Sequence, residues 1–191
     1  MTVHNFALAA SADDAQQQGT TVTINTNGIT LSAGTHYAGF SFDTAADPIP
    51  QGTTITSATL TYYPSSTASD NPDLTWKGHK VTNSAQFATT ASELSNRYSG
   101  APTTASVTDT GTNVGTGART VNVTTIVQEL INQAGWSNTS RITFIAKGNS
   151  SVDLIIYAWD SPTGTEASLA IDYSTGPAKA VLTRHYLDMM S

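Results

Sequence analysis

The chain has 191 residues, 38% hydrophobic and only 12% charged, with a formal net charge of −6 and no cysteine. Its length fits one domain. Eight Lys and Arg scattered along an acidic chain argue against a phosphate-gripping nucleic-acid surface, and the absence of cysteine excludes disulfides and thiolate metal sites.

Polarity comes instead from 33 Thr and 20 Ser. Thr is β-branched and suits a pleated surface with one wet face. Residues Met1–Asn5 show no basic stretch followed by an apolar run, and no apolar run is long enough to span a bilayer. The expectation is a chain that folds where it is made, without secretion or a membrane partner.

In chain order, Phe6 and Leu8 open a period-2 alternation that predicts an N-terminal strand over Thr2–Ala9. Asp13-Asp14 opens a loop. Alternation resumes at Val22/Ile24, Phe40/Phe42 and Ala58/Leu60/Tyr62, separated by turn signals at Asn27-Gly28, Ala33-Gly34 and Pro50-Gln51-Gly52. Pro64–Asp73 and Gly100–Ala118 are loops by composition; the second is long enough to suggest mobility, a partner or an excursion between sheets. Val121/Val123, Ile142/Phe144 and Leu169/Ile171/Tyr173 continue the alternation, with turns at Lys147-Gly148-Asn149 and Pro162-Thr163-Gly164. Val152–Trp159 is apolar on both faces, as a covered central strand would be.

One helix is predicted, over Thr125–Ala134. Thr125 and Gln128 fit a capping box, Ile126, Val127, Leu130, Ile131 and Ala134 form one apolar stripe, Gly135 supplies a left-handed stop and Trp136 folds back on the last turn. Its expected role is a plug over one end of the fold. The fold class is therefore all-β: a two-sheet antiparallel jelly-roll sandwich over residues 1–175 with one short capping helix.

After Ser174-Thr175-Gly176-Pro177 comes a tail, residues 176–191, holding Val181, Leu182, Tyr186, Leu187, Met189 and Met190. These six are the expected partner-binding residues of an arm that docks on a neighbouring subunit; a last strand or helix of the same domain is the alternative.

No catalytic motif is present: no Gly-x-Ser-x-Gly elbow, no phosphate loop and no His-Glu-x-x-His. His4, His36, His79 and His185 lack metal-ligand spacing, and Arg97 and Tyr98 could belong to any surface. Asp13, Asp14, Asp43, Asp47, Asp70, Asp73 and Asp160 fall at strand ends and in loops, where hard oxygen ligands can hold a structural calcium ion; turn-forming Asp residues capping their own backbone are the favoured reading, and no cofactor is otherwise expected. Trp76, Trp136, Trp159, Tyr37, Tyr62 and Tyr63 could line a sugar-binding face, although their positions favour the core.

Three blocks stand in a telling order: Ser11–Asp14, the strand Ile49-Pro50-Gln51-Gly52-Thr53-Thr54-Ile55-Thr56-Ser57-Ala58-Thr59-Leu60, and the helix Ile126-Val127-Gln128-Glu129 through Gly135-Trp136-Ser137. Together they resemble the DNRLRE-type sandwich domains, which are related to carbohydrate-binding modules, and are more similar still to such domains in tailed-phage virion proteins. The likeness covers roughly residues 5–173. It departs in the reduced Trp segment Leu74-Thr75-Trp76 and in the missing Arg around Phe40–Asp43, so no ligand site carries over. The resemblance implies a non-enzymatic virion structural protein: a capsid decoration or cement protein, or a head or tail accessory subunit. Its partners would be other virion proteins in a particle assembled in the host cytoplasm, and its own form a homo-oligomer, with a trimer as one arrangement to expect. The alternative is a carbohydrate-binding module, calcium-assisted or not, that holds host glycans and would lose binding on Trp76→Ala.

Overall fold

The computed structural model describes residues 3–65, 73–110, 115–137, 139–149, 153–161 and 165–174. The chain runs β1 (Val3–Ala7), β2 (Asp14–Gln18), β3 (Thr21–Thr23), β4 (Gly28–Leu31), β5 (His36–Phe42), β6 (Thr54–Tyr62), β7 (Leu74–His79), α1 (Glu93–Gly100), β8 (Pro102–Asp109), β9 (Arg119–Asn122), α2 (Thr124–Asn132), β10 (Ile142–Gly148), β11 (Leu154–Tyr157) and β12 (Ser168–Ser174). A four-stranded sheet in the order β1-β12-β6-β9 faces a six-stranded sheet in the order β3-β2-β5-β10-β7-β8, and β4 and β11 form a separate pair. All the pairings are antiparallel. The domain is an all-β sandwich.

The register explains why the alternation in the sequence works. On β5, Ala38, Phe40 and Phe42 pair with Ala146, Phe144 and Ile142 of β10, which places all six on the inner face and in the main core. Leu169 and Ile171 of β12 lie opposite Leu60 and Ala58 of β6 and meet them across the same core. At its centre Trp76 and Tyr62 are fully buried, their rings 5.7 Å apart, with Phe40 stacked 5.9 Å from Trp76 on the other side.

The outer face of the six-stranded sheet carries a second, smaller cluster: Ala15, Val22, Phe87, Leu94 and Ile145. It is roofed by α1, a helix that the sequence does not suggest. Only Leu94 of its eight residues is buried, so its apolar stripe is a single side chain. Arg97 and Tyr98 belong to it: Arg97 lies 4.8 Å over the Phe87 ring and Tyr98 packs edge-on to Tyr37. Gly39 of β5 is required beneath Phe87, because a Cβ there would come within 2.4 Å of the ring.

Other expectations need correction. Gly100–Ala118 is not one loop, since β8 occupies Pro102–Asp109 and pairs with β7. Val152–Trp159 is not a long central strand. Among its described residues, the strand is the four-residue β11, which pairs with β4 and is bonded on its other flank through Tyr63 and Ser65. Gly148 ends β10 rather than forming a turn, and its missing Cβ makes room for the Ser32 backbone. Asp14 does not open a loop; it begins β2. The helix α2 is real and buries Ile126, Val127, Leu130 and Ile131, packing against β6, β7 and β8 and so bridging the two sheets. Its capping box is not formed. The N-cap position is Val123, which offers no side-chain cap; Asn122 Oδ1 accepts from Thr124 N at 3.0 Å, and the Thr124 hydroxyl accepts from Ala58 N at 2.9 Å. Gln128 Oε1 accepts from Ile55 N at 2.8 Å and its amide donates to Thr53 O. The helix uses these polar side chains to anchor the start of β6.

Residues 176–191, with Val181, Leu182, Tyr186, Leu187, Met189 and Met190, lie outside the described residues, as does Asp70. No helix among the described residues is long and apolar enough to cross a membrane.

Candidate functional site

A group of charged side chains gathers where the Ser11–Asp14 segment meets the turn after β11. Two consecutive aspartates there have opposite fates. Asp13 sits in a 3-10 turn, and its Oδ1 takes an ion pair from Arg141 and a hydrogen bond from the Gln86 amide at 2.9 Å. Its Oδ2 accepts from Ala9 N at 3.0 Å. Arg141 also donates to Asp43 at 3.3 Å and to Ser41 Oγ at 3.0 Å. Asp13, Asp43 and Arg141 thus form a satisfied network.

Asp14 begins β2 opposite Phe40, and so faces the inner side of the sheet. It is 0% exposed. Its Oδ2 accepts from Trp159 N at 2.6 Å, while its Oδ1 has no hydrogen-bond partner. Asp160, the next residue along, is half-buried; Ser11 Oγ donates to its Oδ1 at 2.7 Å, and its Oδ2 is again buried without a partner. Burial above all pushes the Asp14 carboxyl up to about 7; the nearby charges of Asp160 and Asp13 add to this, against the opposing pull of the Trp159 amide. Trp159 stands beside the pair and, among the described residues, is one of two large apolar side chains that remain exposed.

Two further hollows lie among the described residues. One, of about 480 Å³, lies between α2 and the start of β6, lined by Ile55, Lys80, Thr124, Thr125, Gln128 and Glu129 among others. Its polar groups are largely committed internally: Lys80 pairs with Glu129 at 2.8 Å, and Gln128 holds β6. The other, of about 410 Å³, is lined by His79, Glu93, Asn96 and Arg97 with neighbouring backbone. Here His79 Nδ1 lies 2.8 Å from Ser84 Oγ, and Arg97 donates to the same oxygen at 3.1 Å. Ser84 is only 1% exposed, so this Ser–His contact is closed to a substrate and serves to tie β7 to the segment before α1.

The remaining expected residues are dispersed. His4 stacks on Tyr173 and bonds Asp47, far from His79 in both sequence and contacts. Among the described residues, no three His, Asp or Glu side chains gather to hold a metal ion. Trp76, Tyr62 and Trp136 are in the core, Trp136 donating to Ile49 O at 2.9 Å. Trp76 therefore cannot meet a glycan, and the substitution Trp76→Ala would test packing instead. The sequence reading overlooked Arg141 altogether; an arginine just before a strand carries no local signal of its partners. No protein-family model matches the chain, and no curated protein matches it in sequence.

Proposed function

We propose that the chain is a non-enzymatic structural subunit of a phage particle, working by protein–protein adhesion on a jelly-roll form of the sandwich. The observation that favours this reading is the edge strand β1. Among the described residues it pairs with β12 on one side only, it contains no Lys, Arg or Pro, the residues that usually guard an edge, and Val3 on it is 55% exposed. The chain continues from β12, the strand beside this edge, into the segment carrying Val181, Leu182, Tyr186, Leu187, Met189 and Met190. Edge and tail together are the anchoring elements of this reading, and particle symmetry would multiply modest contacts. The phage-like wording of the three sequence blocks supports the same class.

A chain truncated after Pro177 should keep its melting transition and fail to co-purify with particles of the phage that encodes it. Normal incorporation of the truncated chain, or absence of the full chain from those particles, overturns the reading. Glycan attachment retains one favourable observation, the exposed Trp159 beside Asp160. A glycan array that lights up with the full chain and goes dark on Trp159→Ala would move the assignment to that class.

A further inference from the structure

We propose that Asp14 and Asp160 hold a hard divalent cation of the calcium class, which clamps the start of β2 to the turn after β11. The inference does not depend on the particle reading and stands or falls separately.

Two hydrogen bonds fix the pair in place. Trp159 N binds Asp14 Oδ2 at 2.6 Å, and Ser11 Oγ binds Asp160 Oδ1 at 2.7 Å, so residues 11–14 and 159–160 are laced together from both directions. Each carboxylate has one oxygen satisfied and one left over. The leftover atoms, Asp14 Oδ1 and Asp160 Oδ2, are sealed from solvent and have no donor. Asp14 as a whole is 0% exposed. A buried carboxylate oxygen without a donor is costly, and the charge of Asp160 acts unfavourably on ionised Asp14 as well. Positive charge is what this corner lacks.

No described side chain supplies it. Arg141, the nearest arginine in the network, lies on the other face of the sheet, bonded to Asp13, Asp43 and Ser41. No ion pair reaches Asp14 or Asp160 among the described residues. The donors on offer are hard carboxylate oxygens with no imidazole in the group, and the chain has no thiolate. This set suits calcium and disfavours zinc or copper. Calcium accepts six to eight oxygens and routinely completes its shell with backbone carbonyls and water, so a two-carboxylate site suffices although no three-carboxylate cluster exists among the described residues. Few charged ligands mean modest affinity, about 10⁻⁴–10⁻³ M, the range of weak extracellular modules.

The test uses the full chain, stripped with a chelator, at a pH of about 8. Calcium titrated from about 0.1 to 10 mM should raise Tm by several degrees and saturate. Terbium, a calcium mimic, should luminesce through the indole of Trp159, and calcium should quench that signal by displacement. Asp14→Asn and Asp160→Asn should each weaken binding by at least the roughly 10–100-fold that loss of an outer-shell partner costs. Trp159→Phe should dim the luminescence while keeping the calcium-induced rise in Tm. Asp160→Asn is the safer variant if Asp14→Asn folds poorly, because Asp160 is only half-buried. No calcium-dependent rise in Tm in the wild-type chain, with stabilisation appearing only on acidification, would mean that a proton alone neutralises the pair and overturns the proposal. Terbium binding unchanged in both Asn variants would mean diffuse surface binding and overturns it equally.

Discussion

His79 shows how a single side chain can carry a pH dependence. It ends β7, half-buried, with Ser84 at Nδ1 and the Arg97 guanidinium nearby. Burial first, and then the Arg97 charge, pushes its pKa down from 6.5 to about 4. We assign the Ser84 hydroxyl proton to His79 Nδ1, since Ser84 Oγ already accepts from Arg97; a neutral imidazole accepts it and a protonated one opposes it. The unfolded chain takes up its proton near 6.5 and the folded chain only near 4. Stability from this group is therefore complete above 6.5 and is lost as pH falls through that window. His79→Gln retains an acceptor for Ser84 and does not titrate. Urea denaturation from pH 7 to pH 4 should show the wild-type folding free energy falling more steeply than that of the variant. Parallel curves would mean that His79 is protonated in the folded state as readily as in the unfolded one.

At the scale of elements, edge protection is unequal. The edge strand β8 is guarded by α2: Glu129 Oε1 accepts from Thr104 N at 2.9 Å and Oε2 from Ala105 N at 2.8 Å, with Lys80 completing the group. Burial alone would raise the Glu129 carboxyl, but these amides and Lys80 outweigh it and hold it below its ordinary value. Glu129→Ala frees two edge amides. It should cost about 1–3 kcal/mol in urea denaturation and produce concentration-dependent association in sedimentation velocity. A variant that stays monomeric and as stable as the wild type would show that water replaces the carboxylate without loss. The same elements show what the sequence could disclose. Strands such as β5, β6, β10 and β12 were legible because one face is core and the side-chain period is 2. β8 was not, because an edge strand of Pro, Thr, Ala, Ser and Val buries one residue, Thr103, and so has the composition of a loop. β2 reads Asp-Ala-Gln-Gln-Gln, and its buried polar members, Asp14 and Gln17, depend on partners distant in sequence: Trp159 for Asp14 and, besides the nearby Gly19, Ser95 for Gln17. The Asp14–Asp160 pair follows from that register, so sequence spacing could name both residues as carboxylates at segment ends but could not bring them together.

The whole molecule consists of two cores of unequal size on opposite faces of the six-stranded sheet. The inner core joins both sheets, the β4–β11 pair and α2 around Trp76, Tyr62 and Phe144. The outer cluster has five buried residues, of which α1 contributes Leu94, with its half-buried Tyr98 packed against them. At roughly 25 cal/mol per Å² of apolar surface, a roof held by Leu94 and Phe87 is worth far less than the sandwich beneath it. Local opening free energies within one protein range from near zero up to the global value, and elements with few buried apolar contacts lie at the low end. The amides of α1 should therefore exchange through a sub-global opening that leaves β5 and β10 closed, even though those strands lie directly under it. Leu94→Ala sharpens the test, since it removes the one buried side chain of the helix while touching nothing in the inner core. Native-state hydrogen exchange should show α1 amides exchanging faster in this variant, with β5 and β10 protection lowered much less. Equal loss of protection in α1, β5 and β10 would mean that both faces open as one cooperative unit and that the small cluster is as integral to the fold as the large one.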